Sequence, residues 1–326
     1  MADDMVNAER LKLRTYWHLA GRKKIPDEYD IVSSRLLYHA EKGLETDLPL
    51  GGWQKKFQTS SPLKCTHWDD FDDPARLTYF TYVERQRESE HFIARLFESL
   101  EAEDMNKPSP AGIELQCARA MDVLRFACHG LQMLAAYVGH LAPSGKLVIM
   151  LSFQAANESR RLQTNAYRLA LLRKYRAYAP RGKNDWEKAP DWQPLRKYLE
   201  HALCTFDWAQ AFAVSNLVLK PLLDDVFMYE MTAQFSRTGE ALMAEIFKAL
   251  QKDCEWQRNW TTAFVNFVSA SQAQNRVILQ NWLNEGLKPA MEALEPLVKY
   301  AGCSAGKITE RHAVFLDNAG LHYETR

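Results

Sequence analysis

Residues 118–141 read ARAMDVLRFACHGLQMLAAYVGHL, and within them Ala120, Leu124, Ala127, Leu131, Leu134, Val138 and Leu141 recur at alternating steps of four and three. That spacing puts the apolar side chains on one face of an α-helix, the seam along which helices pack in a bundle. The next stretch repeats the pattern with Val148, Leu151, Ala155, Glu158, Leu162, Asn165, Leu169 and Leu172. Glu158 therefore falls on a core position. A third helix, Leu203 to Phe227, is apolar nearly all round between Trp208 and Leu223, which predicts a place in the middle of the fold. A fourth is expected from Gly239 to Val268, and an outer one from Leu77 to Leu100. Pro143 alone interrupts residues 111–179 and Pro221 alone interrupts 195–288, so the helices are long.

Composition agrees with this pattern. Leu and Ala number 77 against 22 Val and Ile, a balance that favours helix interiors over sheet surfaces. The expected class is all-α: a long-helix bundle over residues 76–326, preceded by an extended, irregular N-terminal arm over residues 1–75. The arm holds Pro26, Pro49, Pro62 and Pro74 and the aromatic residues Trp17, Tyr29, Trp53 and Trp68, with little helical periodicity. Those rings must be buried, on the chain's own body or on a partner subunit, and composition does not choose between the two. The loop from Ala179 to Pro194, with four Pro or Gly residues, separates two helix pairs.

Several function classes are disfavoured. With 41 basic and 41 acidic side chains the chain has no net charge, unlike a nonspecific nucleic-acid binder, which needs a basic surface. No GxGxxG, GxxxxGK[ST] or GxSxG occurs, so nucleotide and serine-hydrolase chemistry lack support. The six cysteines, Cys65, Cys117, Cys128, Cys204, Cys254 and Cys303, form no CxxC and read as free thiols in a reducing cytoplasm. The N-terminal MADDMVNAERLKLR lacks the apolar stretch of a signal peptide. Phe126 to Gly145 contains no Lys, Arg, Asp or Glu, but His129, Gln132, His140 and Pro143 make it a core helix rather than a membrane span.

Carboxylates in a bundle core are the setting of di-iron centres, which take one Glu from each of two helices and a Glu-x-x-His from each of the other two. Among nine histidines only His91 follows a Glu, Glu88, by three residues, and it stands in a charge-dense stretch typical of a solvated face. One such motif cannot hold two irons. Two Glu-x-x-Arg segments are more informative: Glu158-Ser-Arg-Arg161 and Glu255-Trp-Gln-Arg258, 97 residues apart, each after a long apolar helix. On those preceding helices the inward candidates are Met133 and Ala211. Neither these nor arginine can ligate hard iron.

The blocks Arg14-Thr-Tyr-Trp-His-Leu-Ala-Gly21, Glu28-Tyr-Asp-Ile-Val-Ser33 and Ser61-Pro-Leu-Lys64, with Trp68 and Phe71-Asp-Asp-Pro74, resemble the β subunit of the hydroxylase of soluble bacterial multicomponent monooxygenases. The resemblance is nearest to the toluene, xylene, alkene and isoprene group. It continues at Leu131-Gln-Met133, Ala136-Tyr137, Thr164 to Arg168, Phe206-Asp-Trp208, Asn216-Leu-Val218 and Lys220-Pro221, and weakens after Leu287.

The resemblance implies a ferritin-like bundle, paralogous to the catalytic α subunit, that has lost its metal site. The family's ligand places would fall on Met133, Glu158 and Arg161, Ala211, and Glu255 and Arg258, with four of six ligands gone. It further implies a cytoplasmic, non-catalytic chain without cofactor of its own, in an (αβγ)2 hydroxylase with a catalytic α and a small γ subunit, in which the arm and bundle surface clamp α and form the central dimer contact, β to β or β to α. The assembly would insert oxygen from O2 into an aromatic or alkene hydrocarbon at a di-iron centre in α. Its electrons would come from NADH through FAD and iron–sulfur centres of a reductase and a Rieske ferredoxin, with an effector protein completing the system. The alternative is a helical adaptor unrelated to oxygenases.

Overall fold

The computed structural model describes residues 19, 26–36, 49–106, 112–175 and 178–323, without the side chains of 112–117. No strand occurs among them. Two short helices, α1 (Glu28–Ser33) and α2 (Pro49–Gln54), lie in the arm. The body begins with α3 (Tyr79–Asn106), α4 (Gly112–Leu141) and α5 (Gly145–Tyr175). Then come α6 (Gly182–Lys188), α7 (Gln193–Leu203) and a central helix, α8, running through 208–237. The last three are α9 (Ala241–Ser271), α10 (Ala273–Ala301) and α11 (Ala305–Asn318).

The seam of α4 is buried throughout, from Ala120 to Leu141. Pro143 disfavours helix at Ala142 before it, and the chain reverses over three residues into α5. There Ser144 restarts the helix, its carbonyl accepting from the Val148 amide at 3.1 Å and its hydroxyl from the Lys146 amide at 3.2 Å. α3 lies outside this pair, burying Tyr82, Ile93, Phe97 and Leu100 against the bundle, with the Tyr82 ring stacked on Phe153 at 4.0 Å.

α8 occupies the centre, and Trp208, Phe212, Leu217, Leu222 and Phe227 are each 0–1 % exposed. It is not uniform. Two stretches of wide, π-type turns, Ala213–Leu219 and Asp225–Glu230, flank one ordinary α segment, Lys220–Asp224. Pro221 explains part of this, because a proline inside a helix clashes with the carbonyl four residues back and offers it no N–H. That carbonyl, on Leu217, accepts instead from His312 Nε2 of α11 at 2.8 Å. Gly302, with φ of 62°, ends α10 in the left-handed conformation and frees the chain to bring α11 back across α8.

The described arm lies along this body and is tied to it by polar groups. Tyr29 is buried under the Arg76 guanidinium, 4.5 Å from its ring, and its hydroxyl accepts from the Asp73 amide at 2.9 Å. Trp68 packs edge-on against Trp208, with centroids 5.4 Å apart. Trp53 donates from Nε1 to the Tyr137 hydroxyl at 3.2 Å and remains 37 % exposed. Trp17 lies outside the described residues. Own-chain contacts thus account for Tyr29 and Trp68, while Trp53 keeps an open surface.

The Pro221 and His312 pairing generates a stability prediction. Burial holds the His312 imidazole down to about 4, against the Leu217 carbonyl that favours its protonated form. The unfolded chain takes up that proton below roughly 6.5, so this group makes stability fall as pH drops from there to about 4. Asp225, pushed up to about 6 by burial against the pull of Arg258 and Arg311, acts with the opposite sign in an overlapping window. The His312 share is therefore read as a difference between wild type and His312→Gln, which removes the titration. Urea midpoints should diverge as pH falls, in favour of the variant; parallel curves refute the assignment. His312→Phe, which leaves the Leu217 carbonyl unmet, should cost roughly 1–3 kcal/mol at neutral pH.

Candidate functional site

Four charged side chains meet in the middle of the bundle. Glu158 and Arg161 come from one face of α5, Lys220 and Asp224 from the α segment of α8, and each is 0–2 % exposed. Steps of three and four residues place each pair on a common helix face. Arg161 Nη1 lies 3.3 Å from Glu158 Oε2 and 2.7 Å from Asp224 Oδ1. Lys220 Nζ lies 2.5 Å from Asp224 Oδ2 and 3.0 Å from Glu158 Oε1, where the ammonium is close enough for an ion pair but not aligned for a hydrogen bond. The contacts close a ring of alternating sign with no net charge. Arg161 Nη2 also donates to Cys254 Sγ of α9 at 3.0 Å.

Three members, Arg161, Lys220 and Asp224, are held in their charged forms by their neighbours. Burial would depress the basicity of Arg161, but the Asp224 and Glu158 carboxylates outweigh it and raise the guanidinium well above its ordinary value. Burial and Arg161 both press Lys220 down, and the same two carboxylates lift it above the usual lysine value. Burial pushes Asp224 up, and Arg161 and Lys220 bring it below the usual carboxylate range. Around the ring, burial pushes the thiols of Cys128 and Cys254 up to about 12, so they act as neutral packing groups rather than nucleophiles.

This donor set does not fit a metal. An ammonium and a guanidinium stand between the two carboxylates, where a divalent cation would need to bind. No group of three or more His, Cys, Asp or Glu among the described residues could hold a metal ion. Glu88 and His91 are both on the exposed face of α3.

The structure brings together only part of what the sequence suggested. Glu158 and Arg161 meet in the core, whereas Glu255 points to solvent and Arg258 turns to a neighbouring cluster. There it pairs with Asp225 at 2.9 Å, beside Arg311, Glu230 and Lys307. The expected inward position of Met133 is corrected: it is 40 % exposed, because the inward seam of α4 runs through Leu131 and Leu134 on either side of it. Ala211 is fully buried at the start of α8, with no group to offer. Lys220 and Asp224, missed by motif spacing, were marked by another signal: charged residues in a helix apolar all round must pair with something.

Residues 53–272 of this long-helix bundle match the model of the methane/phenol/alkene hydroxylase family. The chain belongs to that family. It is 33 % identical over 291 residues to the hydroxylase component subunit beta of the toluene-4-monooxygenase system of Ectopseudomonas mendocina, covering 87 % of this chain and 89 % of that one. The oxygenase component of phenol 2-monooxygenase from Pseudomonas sp. (strain CF600) is 25 % identical over 269 residues, 81 % of this chain and 80 % of that one. A structure of toluene 4-monooxygenase with toluene in its resting active site superposes with TM-score 0.82 at 31 % identity, over 89 % of this chain and 97 % of that chain. Phenol hydroxylase from Pseudomonas sp. OX1 shares the fold, with TM-score 0.79 at 20 % identity. The family membership sets aside an adaptor unrelated to oxygenases. No helix among the described residues is long and apolar enough to cross a membrane.

The closed ring predicts how the core responds to substitution. Arg161→Ala strands Glu158 and overloads Lys220, and should destabilise by roughly 3–5 kcal/mol in chemical denaturation. Glu158→Leu with Arg161→Met removes one unit of each sign, leaves the Lys220 and Asp224 pair intact, and should cost clearly less than the single change. A double variant as damaged as Arg161→Ala would show that charge balance is not what holds this centre.

Proposed function

We propose that this chain is the structural β subunit of a multicomponent monooxygenase hydroxylase acting in the cytoplasm on an aromatic or alkene hydrocarbon. Its partners are a catalytic α subunit carrying a di-iron centre and a small γ subunit, in an (αβγ)2 complex, with the described arm and bundle surface as the contacts. Electrons from NADH reach α through the FAD and iron–sulfur centres of a reductase and a Rieske ferredoxin, with an effector protein acting on the complex. The observation that carries this reading is the 33 % identity to a hydroxylase beta subunit over 87 % of the chain. The ionic ring supports it: where a catalytic bundle would gather ligands, this one gathers its own cations.

The role of this chain's residues is then mechanical. Lys220 and Arg161 neutralise the two central carboxylates, so α5 and α8 are fixed to one another without a bound group. A tagged chain co-expressed with its cognate α and γ subunits should capture both, and hydrocarbon oxidation should require all three with the electron-transfer proteins. The chain alone should retain no iron after mild chelation. About two irons held per isolated chain would overturn the structural role.

A further inference from the structure

Helices α7, α8 and α10 enclose a cleft of about 400 Å³, a size that holds small organic ligands. Helical spacing puts its charges on two facing strips: Lys197 and His201 one turn apart on α7, and Glu285 and Glu292 two turns apart on α10. All four are exposed. None forms an ion pair among the described residues, although Arg196 and Glu200, on the adjacent face of α7, pair at 2.7 Å. A basic wall stands opposite an acidic wall without closing on it.

Between the walls the lining is apolar. Val214 and the rings of Tyr198 and Trp282 are half-buried there and pack against the core. Val214 belongs to the first wide, π-type stretch of α8, a distortion that recurs at functional sites. One turn before it, Gln210 brings to the cleft a side-chain amide with no hydrogen-bond partner among the described residues. The spacing of the walls is fixed, because the Tyr198 hydroxyl donates to the Gly286 carbonyl at 3.2 Å and a Cβ on Gly286 would already stand 3.2 Å from that oxygen. Pro289, also in the α10 wall, gives no N–H to the Glu285 carbonyl one turn back, so that wall carries a backbone acceptor lacking its usual donor beside the two carboxylates.

We propose that this cleft binds an α-amino acid with an apolar side chain. Charge selects the class. An organic cation would draw on the glutamates but face Lys197, and an organic anion would meet the reverse. A bare hydrocarbon would cover Trp282 and Val214 while desolvating the charges around them. A zwitterion satisfies both walls: its carboxylate takes the Lys197 ammonium, with the Gln210 amide as a further donor, and its ammonium group takes Glu285 and Glu292. Its side chain lies over Val214 and Trp282. The bound molecule ties α7 to α10 across the central helix.

The probes are L-phenylalanine, phenethylamine, which lacks the carboxylate, and 3-phenylpropionate, which lacks the ammonium, each titrated against the full chain by ligand-observed NMR. L-phenylalanine should saturate with a Kd of about 1 mM or tighter. Each analogue should bind about 10-fold more weakly or worse. Lys197→Met should bring L-phenylalanine down to the affinity of phenethylamine without weakening phenethylamine. Glu285→Gln with Glu292→Gln should bring it down to that of 3-phenylpropionate without weakening 3-phenylpropionate. All three positions are exposed, so thermal midpoints of the unliganded variants should match wild type; should one of them unfold, the ranking of the three probes on wild type still decides the ligand class. No saturation by L-phenylalanine up to about 20 mM overturns the site. Equal affinity for the three probes overturns the class, and L-phenylalanine binding unmoved in the folded variants places it elsewhere and overturns the cleft as its site.

Discussion

The ring of Glu158, Arg161, Asp224 and Lys220 is the constraint on which the rest of the bundle depends. Four full charges at 0–2 % exposure are tolerable only because they alternate in sign and sum to zero. The sum holds only while α5 and α8 keep one relative register. A slide of either helix by one turn would separate Arg161 from Asp224 and leave single charges in a medium that cannot solvate them. The ring therefore acts less as an added source of stability than as a penalty on every other arrangement of two otherwise greasy helices.

The irregularity of α8 is tied to the same requirement. Its α segment carries both Lys220 and Asp224, and the π-type stretches on either side absorb the distortion that Pro221 introduces. The carbonyl that Pro221 leaves without a donor is met from 95 residues away by His312. Nearby, Asp225 opens the second wide stretch and is held by Arg258 and Arg311. α11 thus serves as a brace, touching α8 at the points where its own hydrogen-bond ladder is interrupted.

Much of the fold was legible in the sequence because the helices are long and their seams regular. The steps from Ala120 to Leu141 locate α4, and the same steps put Glu158 inside α5. Met133 was misplaced although those steps already exclude it, since it falls between Leu131 and Leu134 and so to one side of the seam. Glu255 was misplaced for a related reason. Spacing to Arg258 says that the two share a face, but Cys254, Trp256 and Trp260 decide which face of α9 turns inward. Lys220 and Asp224 were passed over because their helix was read for its apolar character, whereas the charges in such a helix carry the information. α10 was not anticipated at all, and it carries Pro289 and Pro296 inside a helix of 29 residues. The role of His312 lay beyond any local reading.

A centre neutralised by its own lysine and arginine also sets when this chain can mature. A bundle whose buried carboxylates await a metal has to acquire that ion before its interior is electrically complete. Here the counter-charges are translated with the polypeptide, so the ring is complete once residues 158–224 have packed. Closure of the ring then waits on no ion.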